Sequence, residues 1–172
     1  MSAPNTAVAD VAAWEAYQRM RVLLSAQIGR ELAKCSNLSE AEFDILSVLA
    51  DAKDGTLRAL SLRCGLDWEK SRLSHQIGRM EKRGLLRRQA YAGDGRSTLI
   101  CLTDFGRETF AEGKATHERV VSEYFTKVLT AADLAALTRM AGKIVARLEQ
   151  VDARPHHAND LHPVDDLEDE PA

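Results

Sequence analysis

Apolar positions in residues 10–35 recur with a helical period: Trp14, Tyr17, Leu24 and Ile28 stand three, seven and four residues apart, and Leu32 extends the stripe. With no proline and one glycine, Gly29, this stretch predicts a long amphipathic helix. A second helix is predicted after Ser39, where Ser39-Glu40-Ala41-Glu42 has the form of a capping box and leads into Phe43, Ile45, Leu46, Val48 and Leu49. Asp54-Gly55 ends it with a turn. Residues 56–64 read as a short helix with Leu57, Leu60 and Cys64 on one side. Gly65 then permits a left-handed turn, and Asp67 is placed to cap a further helix over 68–83. In that helix Leu73, Ile77 and Met80 share one side, while Ser71, His75, Gly78 and Lys82 share the other. Gly84 suits the left-handed position that stops it.

Beyond Gly84 the pattern becomes extended. LLRRQ (85–89) and TLICL (98–102) flank Gly93-Asp94-Gly95-Arg96, and Asp-Gly between apolar runs predicts a two-stranded hairpin with Arg96 at its tip. Thr103 can cap another helix, with Asp104 in its first turn, running to about residue 129; Thr130 with Asp133 opens the last one. There Leu134, Leu137, Ala141, Ile144, Leu148 and Val151 recur at intervals of 3, 4, 3, 4 and 3, a short heptad seam suited to helix pairing. The expected fold is therefore mainly α with a small two-stranded β wing. A winged helix-turn-helix over 37–102 is framed by a helical dimerisation region, 10–36 and 103–151, with a flexible N-terminus (1–9) and a disordered acidic tail (152–172).

Composition changes this picture in one respect. The 172 residues are 45% apolar, enough for one sizeable core, and the formal net charge is −3. That total conceals a segregation: residues 58–96 hold ten Lys/Arg against four Asp/Glu, whereas residues 152–172 hold seven acids and only Arg154. A basic centre is masked by an acidic tail. No run approaches the roughly 20 apolar residues that span a bilayer, and MSAPNTAVAD lacks the basic start and apolar run of a secretory signal, so a cytoplasmic protein is expected. Cys35, Cys64 and Cys101 are odd in number and widely spaced, which favours free thiols over a disulfide framework or a zinc finger. No nucleophile motif, glycine-rich phosphate loop or HExxH occurs, so neither an enzyme nor a cofactor is expected. His156, His157 and His162 with Asp160 and Asp165 match no compact metal site, and no metal is assigned to them.

Two short helices joined by a tight turn, the second of them basic, form the pattern of a helix-turn-helix. On its outer face Ser71, Ser74, His75 and Arg79 are the main candidates to enter a DNA major groove, with Arg72 and Lys82 at the flanks. Hydroxyls suit base or phosphate contacts, and a guanidinium can grip guanine or phosphate through two hydrogen bonds. Gly78 costs about 1 kcal/mol of helix stability relative to alanine, which a close approach to DNA or simple tolerance on an exposed face would explain. Arg87 and Arg88 divide between a solvated strand face and phosphate contact.

At the hairpin the residues become specific to a family. DGRSTLICLTDFGRE (94–108) resembles the signature of MarR-type winged-helix regulators, in which an Asp-x-Arg wing tip leads through a strand into Leu-Thr-x-x-Gly-Arg. KSRLSHQIGRMEKRGLLRR (70–88) is similar to that family's recognition helix and first wing strand. The resemblance covers roughly residues 10–151 and implies a homodimer held by the first and last two helices, each subunit presenting one winged helix to a pseudo-palindromic operator. It implies Arg96 in the minor groove, repression rather than activation, and a small aromatic or phenolic effector bound between the dimer helices and the winged helix. Trp14, Phe43 and Trp68 could line such a crevice or simply pack. His75 departs from the arginine common at its position, so its contact should be weaker and sensitive to tautomer and pH. The alternative is a winged helix used as a protein-interaction or structural module, which would need neither the basic face of 71–82 nor Arg96.

Overall fold

The computed structural model describes residues 6–91 and 98–151. Six helices, α1 (Thr6–Ser36), α2 (Glu40–Asp51), α3 (Ala59–Leu66), α4 (Lys70–Lys82), α5 (Asp104–Tyr124) and α6 (Ala131–Val151), accompany three strands, β1 (Thr56–Arg58), β2 (Leu86–Ala90) and β3 (Thr98–Leu102). The sheet is antiparallel in the order β1-β3-β2, with Leu57 and Arg88 on either side of Ile100. The expected two-stranded wing thus gains a third strand. Three residues are too few for a period of two to show, and β1 exists because it pairs with β3, more than 40 residues away.

This strand shifts the following helix. α3 begins at Ala59 and buries Ser61 and Leu62, while Leu60 and Cys64 are exposed, so the expected apolar side of residues 56–64 is corrected. The turn after it also moves. Gly65 lies inside α3, and Asp67 takes the left-handed conformation (φ 51°) as the C-cap, its N–H donating to the carbonyls of Arg63 and Cys64. Aspartate tolerates that conformation better than most side chains. Asp67 is therefore not the N-cap of α4; Glu69 occupies that position without a side-chain capping bond, and the helix spans 70–82 rather than 68–83.

The other caps fall where the sequence puts them. Ser39 and Glu42 form a complete capping box, the Glu42 N–H donating to Ser39 Oγ and the Ser39 N–H to Glu42 Oε2. Thr103 Oγ1 accepts from the Gly106 N–H at 2.9 Å, Thr130 and Asp133 satisfy each other reciprocally, and Gly84 has φ 72°. α5 stops at Tyr124, short of residue 129, where the chain tightens into a 3-10 turn, Thr126–Val128.

One core joins all of α1 to α5 and the sheet through Leu32, Leu46, Leu62, Met80, Phe110 and Ile100. α1 packs along α5 over its second half only: Ile28 and Leu32 are buried, Trp14 and Tyr17 are not. Val120 is wholly buried within its own subunit. α5 is seated on the base of the wing: the Thr103 hydroxyl donates to the Gly84 and Leu85 carbonyls, and a Cβ on Gly106 would collide with the Leu85 carbonyl oxygen. The Thr and Gly of the LTDFG run are therefore the residues that let a helix start directly against the wing.

Candidate nucleic-acid interface

Helix α4 has two faces. Leu73, Gln76, Ile77 and Met80 are buried against the core, and Ser71, Arg72, Ser74, His75, Arg79 and Lys82 are exposed. All six helix candidates from the sequence thus share the solvent side of one helix, with cations at both ends. The seventh, Arg96, lies with residues 92–97 outside the described residues.

Several of these side chains are already oriented. The Arg72 guanidinium stacks 3.9 Å from the centroid of the half-buried Trp68 ring, a cation-π contact that fixes it at the first turn of α4. Arg79 donates to Oε1 of Gln76, so a buried amide anchors the charge next to it on the helix. Gln76 was missed as a positioning residue. Its signal in the sequence was a polar residue inserted into the apolar spacing Leu73, Ile77, Met80.

Arg88, on β2, ties the wing to α4: Nη1 lies 3.2 Å from Glu81 Oε2, Nη2 donates to the Ser74 carbonyl at 3.2 Å, and its backbone N–H donates to Glu81 Oε1 at 3.1 Å. Arg87 donates to Gln89 Oε1 at 2.9 Å on the exposed strand face. A Cβ on Gly78 would sit 3.9 Å from Arg88, an ordinary contact, so packing within the chain does not require glycine there.

At the far end of α4, Arg83 reaches the α2 capping box, Nη1 to Glu42 Oε1 at 2.6 Å, and donates from Nη2 to the Asn37 carbonyl at 2.6 Å. Burial pushes the Glu42 carboxyl up, but the Ser39 amide, Arg83 and the Ser39 hydroxyl outweigh it and hold it below the ordinary 4.5. Asp44, two residues along α2, goes the other way: burial and then Glu40 raise it above 3.8, against the opposing pull of His117 and Arg72.

Between α4, α3 and the sheet runs a groove of about 630 Å³ whose lining includes Arg58, Arg63, Lys70 and Arg88. Arg58 stacks 4.6 Å over the Tyr91 ring at the base of the wing. Of the three aromatic residues considered for an effector crevice, Phe43 is in the core, stacked on His117 and tilted against Phe110; Trp68 packs beneath Arg72; Trp14 is 59% exposed beside Tyr17. None of them lines this groove. Cys35 and Cys64 are exposed, Cys101 is buried, and all three are free thiols; exposure of Cys64 departs from its apolar-pattern reading. Among the described residues no helix is long and apolar enough to cross a membrane, and no group of three metal-binding side chains occurs.

A three-helix core carrying a basic outer helix and closed by a small antiparallel sheet is a winged helix-turn-helix. Residues 36–97 match the family model described as MarR family. The structure is similar to AbsC, a MarR family transcriptional regulator from Streptomyces coelicolor (TM-score 0.78, 29% identity, 87% of this chain and 99% of that one). It is also similar to Sco3205, a MarR family transcriptional regulator from the same organism solved in complex with DNA (TM-score 0.79, 26% identity, 86% and 90%). In sequence it is 27% identical over 101 residues to YdgJ, an uncharacterized HTH-type transcriptional regulator of Bacillus subtilis (strain 168); the match takes in 59% of this chain and 60% of that relative. The family model over residues 36–97 and these neighbours make the chain similar, in its winged helix-turn-helix and in its overall fold, to MarR family transcriptional regulators.

Proposed function

We propose that the protein is a homodimeric, sequence-specific DNA-binding repressor that reads a pseudo-palindromic operator with α4 and the wing. The observation that carries this reading is the outward face of α4, where Ser71, Ser74, His75 and Arg79 stand exposed between Arg72 and Lys82 with a buried apolar face behind them. One α-helix fills a major groove, and these side chains supply the donors and acceptors that read base edges there. Arg96 is assigned to the minor groove on the family resemblance. Sco3205, similar in fold at 26% identity, was solved in complex with DNA, which supports DNA binding by this chain.

Dimerisation is supported by apolar surface that one subunit leaves uncovered. On α6 every residue from 138 to 150 is exposed, including Met140, Ile144 (63%) and Leu148 (58%), and on α1 Trp14, Tyr17 and Leu23 are exposed. Between these helices lies a largely apolar groove of about 670 Å³ lined by Met20, Leu24, Tyr124, Leu137 and Met140 among others. Apolar surface on this scale marks an interface, and the heptad seam of α6 suits a second copy of this chain as the occupant. Tyr124 contributes to that surface, whereas Val120 on the same helix belongs to the core. The small aromatic or phenolic effector belongs to the same proposal, acting by changing the separation of the two reading heads.

The test is a salt titration of the full chain on a duplex carrying the region upstream of its own gene. Tight binding at low salt that weakens steeply as salt rises is expected from several phosphate contacts. Absence of binding at low salt would overturn the proposal.

A further inference from the structure

A helix in the major groove and a wing tip in the adjacent minor groove leave one DNA strand between them, and its sugar-phosphate backbone has to cross the surface that separates α4 from β2 and β3. In this chain that surface is the 630 Å³ groove. Four cations from four elements line it: Arg58 at the end of β1, Arg63 on α3, Lys70 at the start of α4 and Arg88 on β2. No acidic side chain is among its described lining residues, which include the apolar Leu60, Leu73 and Ile77. Two of the cations have a fixed place. Arg58 stacks on Tyr91, and Arg88 is tethered by the Ser74 carbonyl and by Glu81, the acid that partners it.

We propose that this groove is a phosphate clamp for the DNA strand that passes between helix and wing, with Arg58, Arg63 and Lys70 contacting the backbone and Arg88 setting the distance from α4 to the sheet. The proposal rests on the DNA-binding reading above and adds to it residues outside the reading face. Cations from three elements lining one groove match the repeating charge of a strand, and the apolar side chains among the lining suit the carbon face of deoxyribose. Such contacts position the protein on the duplex and carry no base preference, so their loss is felt equally on every sequence.

Fluorescence anisotropy separates the clamp from the parent reading. The full chain, R58A/K70A and R58A/R63A/K70A are titrated against the upstream duplex and a scrambled duplex of equal length, at several salt concentrations. Each lost phosphate contact should lower the slope of log K against log salt by about 0.9, and each is lost in both subunits of the dimer, so the double variant falls by roughly 4 and the triple by roughly 5. Both duplexes should weaken by the same factor. Arg58 and Lys70 are exposed, so the double variant should keep the thermal midpoint of the parent even where the triple, which truncates the half-buried Arg63, does not. R58K/K70R should restore the slope. A double variant that folds and binds with the parental slope would overturn the clamp while leaving DNA binding by α4 intact, whereas a parent chain that binds neither duplex would overturn both.

Discussion

The Arg83 guanidinium meets the Glu42 carboxylate at 2.6 Å, joining the end of the reading helix to the capping box of α2. Glu42 is almost fully buried and Arg83 about a third exposed. One carboxylate thus caps the start of α2, through Ser39, and holds the end of α4. Removing Arg83 leaves that carboxylate buried with only its capping bonds. A fully buried pair broken this way costs about 3–5 kcal/mol; with Arg83 partly in water, R83A should cost about 1–2 kcal/mol in urea unfolding.

The same pair sets a pH dependence. Glu42 is held below its unfolded value of 4.5, so its stabilisation is complete above that value and is lost as pH falls through the depressed one. Asp44 has a raised value, and its ionisation opposes folding above that value; the penalty fades as pH falls. Unfolding midpoints between pH 7 and pH 3 should therefore fall more steeply for the parent than for R83A, and the D44N midpoint should exceed the parent's most at pH 7. Parallel pH profiles for parent and R83A would contradict this account of Glu42.

Gly106 and Gly78 should respond to alanine in opposite directions. A methyl at Gly106 meets the Leu85 carbonyl, so α5 must shift from the wing base; G106A should lose about 2–4 kcal/mol. Gly78 has room, and G78A should gain about 1 kcal/mol from helix propensity. Thermal melts of the two variants read both effects.

I144D/L148D places charges on the exposed seam of α6 without touching the core. Sedimentation should show a monomer with parental helix content, and binding to the upstream duplex should fall by at least 100-fold as two linked heads become one. A dimer that persists would place the interface elsewhere.

His75 and Arg96 should divide recognition between them. H75A is expected to change which bases are preferred at one position of each half-site, and R96A to weaken binding on all sequences, as a contact to groove shape would. Binding selections from a randomised duplex pool, run with each variant, show the difference.

The residues that act locally were the legible ones. Ser39 with Glu42, Thr103, Thr130 with Asp133, and Gly84 each satisfy backbone groups within four residues, so their roles follow from spacing. What depends on distant partners was not legible. β1 is three residues long and exists through β3, and its presence rotates α3 so that Leu60 and Cys64 face out. Asp67 carried two competing roles, cap of the next helix or left-handed end of the last, and the packing of α3 chose the second. On α4 the exposed set of Ser71, Arg72, Ser74, His75, Arg79 and Lys82 followed from the helical period, whereas the tethers that orient Arg72, Arg79 and Arg88 come from Trp68, Gln76 and Glu81, partners that no periodicity names. Arg96 rests on the family motif alone.

The central claim is a paired reader, two copies of α4 and the wing on one face of a duplex. Hydroxyl-radical footprinting of the full chain on its upstream region tests it most directly. The account predicts two protected blocks related by a dyad and centred one helical turn, about 10–10.5 base pairs, or a multiple of it apart, both lost together in I144D/L148D. A single block, or protection that survives unchanged in that variant, would contradict it.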